Sequence, residues 1–87
     1  MVVRAVEVTE QFDGLLSGLR SREDVEAWAE ARRRAEDKGR LEYEPRADQA
    51  RLWDAITYLS GVELRAGPGA YLHAPEDLLQ FRRAADL

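Results

Sequence analysis

Leu52, Trp53, Ile56 and Leu59 recur at helical spacing, and Gly61 follows them as a natural stop. Three- and four-residue spacing puts such side chains on one stripe of a helix. An amphipathic stripe needs other elements to cover it, so the rest of the chain must supply that cover. At 87 residues the chain has room for one small core. The expected fold class is therefore mainly α. It is a single domain over residues 1–87 with about four helices and a minor two-stranded β element.

The other helices follow from local signals. Thr9 is a fair N-cap for a helix over 9–19, with Phe12, Leu15, Leu16 and Leu19 on its inner face. Ser21 opens a second helix over 21–38, with Glu23 and Asp24 in its first turn. Val25, Trp28 and Ala29 give it a narrow apolar face, and Gly39 is its left-handed stop. The third helix is expected over 46–60, opened by Pro45. The fourth is expected over 75–85, with Pro75 first, Glu76 and Asp77 in its first turn, and Leu78 and Phe81 inward. Val2 to Val8 is valine-rich and reads as an extended strand whose partner is Leu41–Tyr43 or Val62–Leu64. Gly67-Pro68-Gly69 is a turn.

Composition excludes whole classes of chemistry. There are no cysteines, so disulfides, thiolate metal sites and cysteine nucleophiles are ruled out. His73 is the only histidine and has no second nitrogen or sulfur ligand to form a metal site with. No serine sits in a nucleophile signature. We therefore expect no catalytic residues, no metal, no cofactor and no enzymatic activity. A small enzyme using carboxylates with His73 is the weakest reading, because it needs a pocket joining them. No apolar run exceeds three residues and no apolar segment follows the first methionine. The expectation is a cytoplasmic protein with no membrane partner.

Charge is distributed unevenly. The net charge is −4, which argues against nucleic acid as a partner. Residues 1–31 hold three basic and seven acidic side chains, whereas residues 32–46 hold six basic and four acidic. Arg32-Arg33-Arg34 reads as a self-paired helix face, with Arg32 over Trp28 and Glu30 paired to Arg34. Glu23, Glu26 and Glu30 line the wet side of the second helix. Tyr58 lies off the third helix's stripe beside Arg51 and Asp54. These four residues are the candidate partner-binding set, a docking surface for a basic protein. A solvated acidic face, and a tyrosine that covers a neighbouring loop, are the bland alternatives.

The run Leu52 to Val62, with Tyr71-Leu72-His73, Pro75-Glu76-Asp77 and Ser21 to Ala29, resembles small, poorly characterised bacterial proteins of toxin-immunity type. The resemblance covers roughly residues 10–82. It implies a non-enzymatic inhibitor whose acidic surface plugs the basic cleft of a toxin domain. The alternative is a small structural or regulatory protein acting as a homodimer through the valine-rich start and the Gly14/Gly18 pair.

Overall fold

The computed structural model describes residues 1–87, with every side chain except that of Ala66. In chain order the elements are β1 (Val2–Arg4), α1 (Ala5–Ser17), α2 (Arg22–Asp37), β2 (Glu42–Glu44), a single 3-10 turn (Arg46–Asp48), α3 (Gln49–Leu59), β3 (Arg65–Gly67), β4 (Ala70–Tyr71) and α4 (Pro75–Ala84). The four helices and a minor two-stranded element are those the sequence implies, and the structure adds a second two-stranded pair.

The α3 stripe is the centre of the core. Leu52, Ala55, Ile56 and Leu59 are completely buried, and Trp53 is partly buried beside them. Burying each such leucine or isoleucine contributes roughly 1.5–3 kcal/mol. Val25 and Ala29 of α2, Val3 of β1, Val8 and Phe12 of α1, and Leu78 of α4 close over it. α2 and α1 both pack on α3, and α1 also packs on α4.

Local chemistry sets the helix ends. The Ser21 hydroxyl accepts the Asp24 N–H at 3.0 Å and caps α2. At the other end Gly39 takes a φ of +67°. The Arg40 N–H then reaches the Ala35 carbonyl at 2.8 Å, and the Gly39 N–H reaches Glu36 at 2.9 Å. This paired closure satisfies the last carbonyls of the helix. The Asp77 carboxylate accepts the Ala74 N–H at 3.0 Å and caps α4.

The structure corrects the N-terminal reading. The chain is extended only over Val2–Arg4, and α1 begins at Ala5, not Thr9. A valine costs under about 0.7 kcal/mol in a helix, which is less than burying Val8 returns. The inner face of α1 is Val8, Gln11, Phe12 and Leu15, while Val6 points outward. The helix ends at Ser17 because Gly18 turns left-handed at φ +79°. Leu16 and Leu19, expected in the core, are therefore exposed, Leu19 to 86%. The Arg20 side chain lies over Gly14, so a Cβ there would displace it.

β1 pairs with β2 in parallel, Val3 opposite Tyr43, and Arg4 bridges to Glu44 at 3.1 Å. Parallel pairing needs a long crossover, which α1 and α2 provide. The second sheet, β3 with β4, is antiparallel around the Gly67–Gly69 turn. Gly61 takes no positive φ. α3 ends through tight turns in which the Gly61 N–H reaches Tyr58 and the Val62 N–H reaches Leu59, and these carry Val62 into the core.

Candidate functional site

The expected acidic surface is largely committed within the protein. Of the three glutamates only Glu23 is exposed, and Glu26 and Glu30 are half-buried. A Glu26 carboxylate oxygen accepts the Glu63 N–H at 3.2 Å and so anchors the loop after α3. Glu30 pairs at 3.1 Å with Arg33, three residues on, instead of Arg34. Arg33 also donates to the Ser60 hydroxyl at 3.2 Å. Arg22 donates to the Val62 carbonyl at 2.8 Å from the same side.

Tyr58 is not an exposed anchor. Its ring stacks on Phe81 at 4.1 Å and lies 4.3 Å from the His73 ring. Its hydroxyl is buried without a partner among the described residues. Burial raises its pKa, nearby Asp77 adds to the rise, and Arg22 opposes it. Tyr58 therefore covers the loop that carries His73. Among the described residues no group of three His, Asp or Glu side chains is placed to hold a metal. No helix among the described residues is long and apolar enough to cross a membrane.

The arginine triplet divides in three directions. Arg32 lies over the Trp28 ring at 4.1 Å and donates to the Trp28 carbonyl. Burial lowers its pKa, and Glu7 opposes that shift. Arg33 is held by Glu30. Arg34 projects elsewhere and lines a cleft of about 250 Å³ with Met1, Ala31, Ala35, Lys38 and Arg40.

This cleft is built by the end of α2. Arg34 and Lys38 are four residues apart, hence on one side of the helix. The left-handed Gly39 reverses the chain and returns Arg40 to the same place. The Met1 nitrogen, 3.0 Å from the Arg40 carbonyl, holds the N-terminal strand against it. Ala31 and Ala35 keep the floor low. Arg34, Lys38 and Arg40 are all exposed, and none forms an ion pair among the described residues. No carboxylate lines the cleft. Cations also suit the negative end of a helix dipole. The arrangement can hold an anionic group with several oxygens against three donors at once.

Sequence reasoning noted the net positive stretch 32–46 but passed over this trio, because it counted the triplet as a unit. The available signal was the i, i+4 pair Arg34 and Lys38, followed by the Gly39-Arg40 reversal.

A family model described as YxzC DNA-binding protein matches residues 2–83. The chain is also 32% identical over 73 residues to the Uncharacterized protein YxzC of Bacillus subtilis (strain 168), covering 84% of this chain and 54% of that protein. The chain thus spans about half the length of the curated relative it matches. No solved structure matches it. The chain belongs to the YxzC family. This finding overturns the toxin-immunity resemblance and the protein-binding inhibitor it implied. It equally overturns the expected basic toxin partner and the exclusion of nucleic acid. It lends no support to the homodimeric alternative. The physical error was to judge a ligand by total charge when a local cluster decides phosphate contact.

Proposed function

We propose that this member of the YxzC family binds DNA without catalysing a reaction, through phosphate contacts from Arg34, Lys38 and Arg40. The observation that carries the reading is the convergence of these three side chains on one cleft that no carboxylate lines. The description of the family supports it. Arginine and lysine supply most of the sequence-independent affinity for a DNA backbone, because each phosphate contact releases condensed counterions.

The net charge of −4 opposes this at long range. At physiological salt the screening length is about 8 Å, so a close cluster outweighs distant carboxylates. Three contacts suit a modest affinity, in the range of about 10⁻⁴ to 10⁻⁶ M typical of non-specific binding. The reading also places the chain in the cytoplasm, where bacterial DNA lies.

The test is fluorescence anisotropy with a short labelled duplex at about 50 mM salt. The parent should bind. A variant carrying Arg34→Ala, Lys38→Ala and Arg40→Ala should bind at least about tenfold more weakly. Its thermal melt should stay within a few degrees of the parent's, since exposed charges contribute little to stability. Equal affinity of the two proteins would remove the cleft from the account.

A further inference from the structure

A second cleft lies beside the cationic one, and its chemistry is different. It measures about 350 Å³ and is lined by Glu36, Leu41, Glu42, Tyr43, Arg46 and Gln49. It borders the first cleft through the chain itself, since Glu36 follows Ala35 on α2 and Leu41 follows Arg40. Glu36, Glu42 and Arg46 form no ion pair among the described residues. Leu41 and Tyr43 pack on the core and give the cleft an apolar and aromatic wall. The Tyr43 hydroxyl is buried with no partner among the described residues.

Carboxylates that only accept hydrogen bonds, a guanidinium that only donates and an aromatic wall together describe a particular ligand edge. Guanine has two adjacent donors on its pairing edge, N1–H and the N2 amino group. Its O6 and N7 are two adjacent acceptors that suit an arginine. Adenine sets an acceptor at N1 where a carboxylate needs a donor. Thymine has a single donor between two acceptors, and cytosine has one amino group beside two acceptors. Of the four bases, guanine alone offers a donor pair to a carboxylate and an acceptor pair to an arginine. In a duplex its donor pair is used by cytosine, so the base must be unpaired to reach a carboxylate.

We infer that the Glu36–Tyr43–Arg46 cleft takes an unpaired guanine of a DNA strand whose phosphates lie on Arg34, Lys38 and Arg40. The inference rests on the DNA-binding reading for the strand, and adds base selection to it. Glu36 accepts from N1–H and N2–H, Arg46 donates to O6 and N7, and the Tyr43 ring flanks the base. Bases held in this manner on single strands gain from stacking as well as from hydrogen bonding.

The test uses thymidine oligonucleotides with one central position changed to guanine, hypoxanthine, 7-deazaguanine, adenine or cytosine. Hypoxanthine lacks only the N2 amino group, and 7-deazaguanine lacks only the N7 acceptor. The parent should bind the guanine strand about tenfold more tightly than the all-thymine strand, with hypoxanthine and 7-deazaguanine each weaker than guanine. Glu36→Gln should erase the guanine-to-hypoxanthine difference, and Arg46→Met the guanine-to-7-deazaguanine difference. The two variants should shift affinity for every strand alike by the one charge each changes, upward for Glu36→Gln and downward for Arg46→Met, while their melting temperatures stay within a few degrees of the parent's. That readout separates base contact from loss of fold. If the parent binds every strand equally, the guanine inference fails and the phosphate reading stands. If it binds none of them at low salt but binds the duplex, the unpaired-base inference fails alone; if it binds neither, the DNA reading fails with it.

Discussion

The two ends of α2 carry opposite charge, and they differ also in how much of that charge the fold has already used. At the N-terminal end Ser21 caps the helix, Glu26 holds the Glu63 N–H and Arg22 holds the Val62 carbonyl. The side chains there tie α2 to the loop after α3. At the C-terminal end the backbone closes on itself through Gly39 and Arg40. No side chain is needed for that closure, so Arg34, Lys38 and Arg40 keep their charge for a ligand. The charge a surface can offer is what remains after the fold's own hydrogen bonds are made. A tally along the sequence counts used and unused charge alike, which is why it favoured the N-terminal end.

The largest effect removes the support of both ends. Ile56 is fully buried in α3, against which α2 packs. Ile56→Ala should cost about 2–5 kcal/mol through lost contacts and a cavity. A domain with roughly 5 kcal/mol in hand would be largely unfolded by the upper figure. A melting temperature within a degree or two of the parent's would refute this.

The next pair separates the ends. Ser21→Ala removes the cap and should cost about 1 kcal/mol. Gly39→Ala meets no neighbour within 4 Å but must hold φ +67°, which costs roughly 1–2 kcal/mol. Their melts should therefore be similar. Their duplex binding should not be, because only Gly39→Ala disturbs the return of Arg40 to the cleft. Equal affinity in the two variants would break the comparison.

Alkaline pH gives a smaller effect at the C-terminal end. Burial, with the Glu36 carboxylate adding to it, pushes the Tyr43 hydroxyl up to about 12. In the unfolded chain a tyrosine ionises near pH ~10. The folded state therefore holds a proton that the unfolded state releases. Stability is intact below about pH 10 and falls as pH rises from there through about 12. Tyr58 acts in the same direction. Tyr43→Phe should make the fall in melting temperature between about pH 9 and about pH 11 shallower, leaving the part due to Tyr58. An unchanged slope would show that Tyr43 ionises freely. The smallest effect is at the other end: Glu23 is exposed, and Glu23→Gln should change stability by less than about 0.5 kcal/mol.

The elements with local punctuation were legible in the sequence. Ser21, Gly39 and Pro75 mark helix ends by their own chemistry, and α2 and α4 begin and end within about a residue of the expected positions. The stripe of Leu52, Ile56 and Leu59 was legible because it needs only periodicity. The start of α1 was not. Valines at 2, 3, 6 and 8 favour a strand locally, and only the core's demand for Val8 and Phe12 makes the segment helical. Leu19 misled for the opposite reason, since its spacing continues a helix that Gly18 has already ended. The cationic cleft was half legible. Arg34 and Lys38 share a helix side by spacing, but the place of Arg40 depends on how the chain leaves Gly39. That Glu26 is engaged lay beyond sequence, because the Glu63 N–H comes from a distant turn, whereas the pairing of Glu30 within α2 was legible, with Arg33 in place of Arg34.

The salt dependence of duplex binding tests the central claim most directly, because it counts phosphate contacts. The logarithm of the parent's binding constant should fall against the logarithm of salt concentration with a slope of about −3. With Arg34, Lys38 and Arg40 changed to alanine the slope should approach zero, while a Glu23→Gln protein should keep the parent's slope. A slope that is the same for the parent and the alanine variant would contradict the account.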